Sequence, residues 1–332
     1  MLVALTDPMD PAGLDVLAAA GHQVELPGPD GLDPLLARAD AVVVRRKLPD
    51  DLSARAPRLL AAVRQGVGLD MIPVEDCTAH GVLVANVPGA NADSVAEFAI
   101  AQMLAIARRA EGMHADLLSQ GWGPSRARTA ASFELRGRTL GIVGVGAVGM
   151  RLAEIAAAGF RMRVLGYRRD AAALPPQVTY AGLDALFAES DFIALACPLT
   201  PETRGLASTT RIARMKPDAW LLNLARGPVV DGEALLEALQ SGRIGGAALD
   251  VFDEQPLAAG HPLRALPNVL LTPHTAGLSQ EAMLRMSLGA AEETVRILAG
   301  TQPRSFINPE AWAASRQKRA ALGHPAGEAE AA

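Results

Sequence analysis

At 332 residues, half of them hydrophobic, the chain is long enough for two domains with ample cores. A formal net charge of −5, with arginines scattered among acids, argues against a nucleic-acid partner, and no uninterrupted apolar run approaches the ~20 residues of a membrane span. Cys77 and Cys197 imply no disulfide framework; Met1–Asp7 reads as a first strand and not a signal peptide, so a reducing cytoplasm is the expected location.

In chain order, residues 1 to about 90 alternate short β-rich runs (Leu2–Leu5, Gln23–Leu26, Ala41–Val44, Leu60–Arg64, Val82–Ala85) with helical segments punctuated by proline. That is the pattern of a parallel α/β unit. A long helix is predicted from Ala92 to about Leu118, with Val95, Phe98, Ala99, Met103 and Ile106 on one side. A loop, Gly121–Pro124, follows, with Trp122 expected to pack between domains or subunits. A second α/β series covers about 139–276, with strands at Leu140–Val143, Arg163–Tyr167, Phe192–Ala196, Trp220–Asn223, Ala247–Val251 and Val269–Thr272. Ser279–Leu298 is again helical. From Ser315 onward the apolar period is lost, which predicts a disordered tail over 315–332.

The sharpest motif lies where the strand ending at Val143 runs into a helical segment. Gly144, Gly146 and Gly149 form G-x-G-x-x-G there. The first glycine suits a tight turn, the second a close approach of backbone to pyrophosphate, and the third close packing of helix on strand. Amide groups at the helix start would hold the phosphates, so a dinucleotide is expected. At the end of the next strand an acid usually accepts from the ribose 2′-hydroxyl of NAD; Arg168 stands there instead, with Arg169 beside it. Guanidinium groups pair with a 2′-phosphate, so NADP(H) is favoured, with NAD(H) left open because both arginines can also simply face solvent.

Further segments close strands of the same domain: Leu222–Gly227, Leu249–Leu257 and Leu271–Gly277. Open α/β sheets bind ligands at such ends. With them the chain resembles the D-isomer-specific 2-hydroxyacid dehydrogenases, the family that includes phosphoglycerate dehydrogenase, glyoxylate/hydroxypyruvate reductase, D-lactate dehydrogenase and formate dehydrogenase. The similar motifs are Gly144–Gly149, Pro198–Thr203, Asn223–Gly227, Leu249–Val251, His261–Leu263 and Pro273-His274; Gly66–Asp70 and Asn86–Gly89 extend the likeness into the first domain.

The resemblance implies two Rossmann-like, doubly wound parallel α/β domains. The cofactor domain (99–282) would be inserted in a substrate domain (1–98 and 283–314), with closure expelling water around the hydride. It implies a homodimer, a short 2-oxoacid reduced to its (R)-2-hydroxyacid, and a catalytic set of Arg226, His274 and Gln255. Arg226 matches the arginine that grips the substrate carboxylate and polarises its carbonyl, and His274 the acid/base. Asp250 matches the residue that orients the nicotinamide carboxamide. Ala147, Val148, Cys197, Pro198, Thr203, Leu224, Ala225 and Gly277 fall at cofactor-lining positions, and the backbone at Val67 and Gly68 at the substrate-carboxylate loop. His22, His80, His114 and His324 lack companions at ligand spacing, so no metal site is expected.

Departures from the family are informative. Its usual glutamate before proline, partner of the histidine, is replaced by Gln255 before Pro256. Glutamine can orient an imidazole but cannot hold it protonated by charge, so reduction should weaken at a lower pH than in relatives. Glu254 is a possible substitute partner. Glutamine here also resembles the formate dehydrogenase branch, whose substrate needs no proton transfer, and a catalytically weak nicotinamide sensor is a further alternative. Finally, Arg45, Arg46 and Lys47 end a first-domain strand; the cluster suits a second anionic group on the substrate or forms a solvated basic edge, with Arg45 at the family's arginine position.

Overall fold

The computed structural model describes residues 1–325. The chain divides into two compact units, residues 1–91 with the segment from Ser279 onward, and Ala92–Leu278.

In the first unit β1 (Leu2–Leu5), β2 (Gln23–Glu25), β3 (Ala41–Val44), β4 (Ala61–Arg64) and β5 (Leu83–Ala85) form a parallel sheet of order β2-β1-β3-β4-β5. β3 is an unbroken Ala-Val-Val-Val, buried at every position, as a strand covered on both faces requires. The helix Gln280–Leu298 belongs to this unit and is capped by Ser279, whose side chain accepts from the Ala282 N–H.

The second unit carries β6 (Thr139–Val143), β7 (Arg163–Tyr167), β8 (Val178–Tyr180), β9 (Phe192–Leu195), β10 (Trp220–Asn223), β11 (Gly246–Leu249) and β12 (Val269–Leu271), all parallel, in the order β12-β11-β10-β9-β6-β7-β8. Successive residues alternate between two cores: Val143, Ile193, Leu195 and Leu221 enter one, Ile142, Phe192, Ala194 and Leu222 the other. From β6 the chain winds outward through β7 and β8, then restarts at β9 on the other side. The switch point between β6 and β9 is where such sheets take ligands.

Several sequence expectations need correction. β8 was not foreseen; it is 3 residues long and only Val178 is buried. The expected helix from Ala92 breaks at Arg109, which is left-handed (φ 54°), giving Ala92–Arg108 and Ala110–Gln120, with no glycine or proline to signal it. Trp122 opens a short helix, Trp122–Ala127, in place of the expected loop, and is 72% exposed. The unit boundaries fall before the helices Ala92–Arg108 and Gln280–Leu298, where the sequence pattern placed them inside, because each helix packs within one unit: Ala96, Ala99 and Met103 in the second, Ala282, Met286 and Ala290 in the first.

The expected tail is helical over Trp312–Ala321, with Ser315 and Arg319 buried. Its backbone lies so close to Gly81 that a Cβ there would be 2.8 Å from the Ala314 carbonyl carbon. The rest of the expected tail, 326–332, lies outside the described residues.

Candidate active site

The sheet register aligns the chemistry of the second unit. Tyr167, Val143, Leu195, Asn223, Leu249 and Leu271 pair across one edge row. Their immediate successors are Arg168, Gly144, the Ala196-Cys197 turn, the Leu224–Arg226 loop, Asp250 and the Thr272–His274 turn. Residues far apart in sequence therefore leave the same edge of one sheet.

Each motif glycine meets a different constraint. Gly144 has φ +95°, and a Cβ on it would lie 2.6 Å from the Cys197 nitrogen. A Cβ on Gly149 would lie 2.5 Å from the Gly144 carbonyl oxygen, so the helix Ala147–Glu154 rests directly on the turn. At Gly146 the same position meets nothing within 4 Å. Gly146 and Ala147 are exposed, Val148 is half-buried, and no side chain caps the helix start. Open space over uncapped amides fits a pyrophosphate.

Around this turn Arg168 donates from Nη1 to the Val145 and Ala173 carbonyls, at 3.1 and 2.9 Å, while Arg169 is exposed. Cys197 is buried and its thiol is pushed up to about 11 by burial, which suits an inert apolar contact and not a nucleophile. The Thr203 hydroxyl closes its own loop, donating to the Pro198 carbonyl (2.7 Å) and accepting from the Thr200 N–H (2.7 Å).

Asn223, at the end of β10 and 1% exposed, shapes the loop that carries Arg226. Its Oδ1 accepts from the Ala225 N–H (3.1 Å) and its Nδ2 donates to the Arg226 carbonyl (2.9 Å). A Cβ on Gly227 would lie 2.1 Å from the Phe252 carbonyl carbon, so the Arg226 loop is pressed against the segment leading to Gln255.

Asp250 does a job the sequence reading did not assign. It is 2% exposed. Its Oδ1 accepts from the Thr272 hydroxyl (2.7 Å) and the Thr275 N–H (2.9 Å), its Oδ2 from the Ala276 N–H (2.9 Å). Its own carbonyl accepts from the His274 N–H at 2.8 Å. These bonds hold His274 at φ 56°, a conformation costing a non-glycine residue about 1–3 kcal/mol. Gly277 completes the turn, closed by the Leu278 N–H on the Thr275 carbonyl at 2.9 Å.

Gln255 Oε1 lies 3.0 Å from His274 Nδ1. Gln255 Nε2 donates to the Phe252 carbonyl (3.3 Å), which fixes the amide with its oxygen toward the ring. With the amide oxygen facing the ring, an Nδ1–H tautomer would complete this bond, and proton exchange with a substrate would then use Nε2. Glu254 is exposed.

In the first unit, the Val67 and Gly68 N–H groups have no acceptor among the described residues, and Val67 is 41% exposed. The basic cluster is reduced by pairing: Arg46 Nε donates to both oxygens of Asp7 (2.9 and 3.0 Å), and Lys47 meets Asp50 at 3.2 Å. Arg46, expected at the substrate, is thus engaged because β1 and β3 are neighbours and their ends meet. Arg45 alone of the cluster has no carboxylate partner among the described residues. Sequence reasoning also passed over Arg64, Asn86 and Asn223; only the asparagines, at strand ends within motifs, carried a readable signal.

Among the described residues no group of His, Cys, Asp or Glu could hold a metal ion, and no helix is long and apolar enough to cross a membrane.

A parallel sheet with a glycine turn at its switch point and an oriented imidazole at another strand end of the same edge fits a nicotinamide-dinucleotide oxidoreductase. Residues 100–276 match the family model for the NAD-binding domain of D-isomer specific 2-hydroxyacid dehydrogenases. Glyoxylate reductase of Aeropyrum pernix is 40% identical over 286 residues, covering 82% of this chain and 84% of that protein. The crystal structure of a Thermus thermophilus protein superposes with TM-score 0.84 at 35% identity, covering 92% of this chain and all (100%) of that one. That of an NADPH-dependent glyoxylate/hydroxypyruvate reductase of Sinorhizobium meliloti gives TM-score 0.81 at 26% identity, over 93% and 98%. The chain belongs to the D-isomer specific 2-hydroxyacid dehydrogenase family, as an NAD(P)-dependent enzyme interconverting 2-oxoacids and 2-hydroxyacids.

Proposed function

We propose that the chain reduces a short 2-oxoacid of the glyoxylate or hydroxypyruvate kind to its (R)-2-hydroxyacid, with NADPH preferred and a homodimer as the working form. The observation that carries the reading is the Gln255–His274 contact at 3.0 Å, which engages Nδ1 and orients the imidazole on the strand edge that also bears Arg226, with Nε2 as the proposed proton donor. In this reading Arg226 binds the substrate carboxylate and draws charge from the carbonyl, while Val67 and Gly68 amides add further anion donors. His274 Nε2–H hands its proton to the carbonyl oxygen, which becomes the product hydroxyl. When bound, the reduced nicotinamide supplies the hydride. Arg46 and Lys47 pair with Asp7 and Asp50, which leaves Arg45 as the cluster's candidate partner for a second anionic group on the substrate. The exposed Leu117, Leu118 and Trp122 offer apolar surface for a second copy.

The test is oxidation of NADPH and NADH with glyoxylate, hydroxypyruvate, pyruvate and dicarboxylic oxoacids, beside formate with the oxidised cofactors. Turnover of the short oxoacids is expected. Formate turnover alone would favour the formate dehydrogenase reading that Gln255 suggests, and tight cofactor binding with no turnover would make the protein a sensor.

Gln255→Glu should carry the alkaline edge of reductive kcat/KM upward by about one pH unit, because a carboxylate favours imidazolium and reduction needs the protonated ring. An edge that stays put would separate Gln255 from the proton transfer.

The NADPH preference rests on Arg168 and Arg169, with the nearest acid, Asp170, turned to cap a 3₁₀ turn through the Ala172 N–H. Arg169→Ala should lower kcat/KM for NADPH about tenfold, the loss of one charge-assisted contact, and leave NADH unchanged. Equal effects on both cofactors would refute a 2′-phosphate role.

A further inference from the structure

We infer that Arg64 is a positioning residue for the substrate carboxylate: without touching substrate, its guanidinium sets the direction of the Val67 and Gly68 amides and anchors the strand end that carries Arg45. The inference rests on the proposed 2-oxoacid reading and adds to it the group that builds the carboxylate loop.

Arg64 is the last residue of β4 and half-buried. Its Nη1 donates to the Val44 carbonyl (2.6 Å) and the Gln65 carbonyl (3.0 Å), and its Nε to the Gly68 carbonyl (3.1 Å). One charge therefore joins the end of β3 to both ends of the turn Gln65–Gly68. Gly66, at φ +143°, lies over the group; a Cβ there would be 3.4 Å from the Arg64 Cζ. The remaining carbonyls of the turn also face protein: Gly66 accepts from the Val87 N–H (2.9 Å) and Val67 from Asn86 Nδ2 (2.8 Å).

With every carbonyl from Gln65 to Gly68 engaged, the N–H groups of Val67 and Gly68 are turned away from these partners and left as a pair of anion donors. A planar guanidinium with donors fixed in a fork can hold several carbonyls at once; an ammonium, a compact point charge, cannot reproduce that spread. The Val44 bond extends the same control to Arg45, whose N–H is held by the Thr6 hydroxyl at 2.8 Å.

Arg64→Gln and Arg64→Lys test this in the full-length enzyme, with glyoxylate as substrate. A displacement of about 1 Å in a binding group can cost up to about a hundredfold, so Arg64→Gln is expected to raise KM for glyoxylate by tenfold or more. The Kd for NADPH should stay within about twofold and kcat should fall by less than KM rises, because the second unit is untouched. Arg64→Lys should fall between, and it carries the test if the glutamine variant does not fold. A folded variant with unchanged KM, or one in which KM, kcat and NADPH Kd deteriorate together, would overturn the assignment. Wild-type enzyme that reduces no 2-oxoacid would bring down the parent reading and this one with it, whereas wild-type turnover with indifferent Arg64 variants would sink this inference alone.

Discussion

His274→Ala is expected to lower kcat for 2-oxoacid reduction by about 10²–10⁴-fold, the usual worth of a positioned proton donor, while NADPH binds as before. The geometry makes the experiment interpretable. The turn bearing His274 is held by Asp250 through backbone N–H groups and the Thr272 hydroxyl, none of which belongs to the imidazole. Removing the ring therefore deletes the donor without dissolving the turn. His274 is left-handed, a conformation asparagine tolerates better than alanine, so His274→Asn is the companion variant that separates lost chemistry from backbone strain. Both variants should lose kcat alike. If either keeps kcat within about tenfold of wild type, proton transfer does not pass through this ring. Gln255→Ala should cost less than either, since it leaves the imidazole in place and removes only what orients it.

What could be read from the sequence, and what could not, divides along a physical line. The strands of the second unit other than β8 were legible because their apolar runs are continuous; β7 and β10 have the expected bounds, and β9 and β12 differ by one residue at the C-terminal end. Gly144, Gly146 and Gly149 were legible because their constraints are local. By contrast, the pairing of Arg46 with Asp7 joins residues 39 apart and exists only because β1 lies beside β3. The role of Arg64 is hidden for the same reason: in sequence it is one more arginine ending a strand, and only the folded turn presents it with three carbonyls. Asp250 shows a subtler limit. Its motif pointed to the cofactor, whereas its buried carboxylate is engaged by the histidine turn next door in the sheet. The helix Trp312–Ala321 escaped notice because its inward face presents Ser315 and Arg319, which no hydropathy pattern marks as buried.

Arg226→Ala should reduce kcat/KM for any 2-oxoacid by about 10³-fold or more, the larger effect of the two on substrate capture. Two losses combine. Truncating a partner of a bound carboxylate costs about 2–5 kcal/mol, and a donor aimed at developing negative charge contributes a further 10²–10³-fold to the chemical step. The scaffold should survive the loss of the guanidinium's own bond to the Ala225 carbonyl (2.7 Å), because the loop is also fixed by Asn223 on the Ala225 N–H and the Arg226 carbonyl, and by the contact of Gly227 with Phe252. An unchanged melting temperature and NADPH Kd would verify that. Arg226→Lys should recover little, since the three donors of an ammonium radiate from one atom and cannot reproduce the planar fork that spans two carboxylate oxygens and the carbonyl. Steady-state kinetics with glyoxylate decide the matter: a folded Arg226→Ala enzyme retaining a tenth of wild-type kcat/KM would mean that the substrate is held by other groups, and the strand-edge site would lose its anchor.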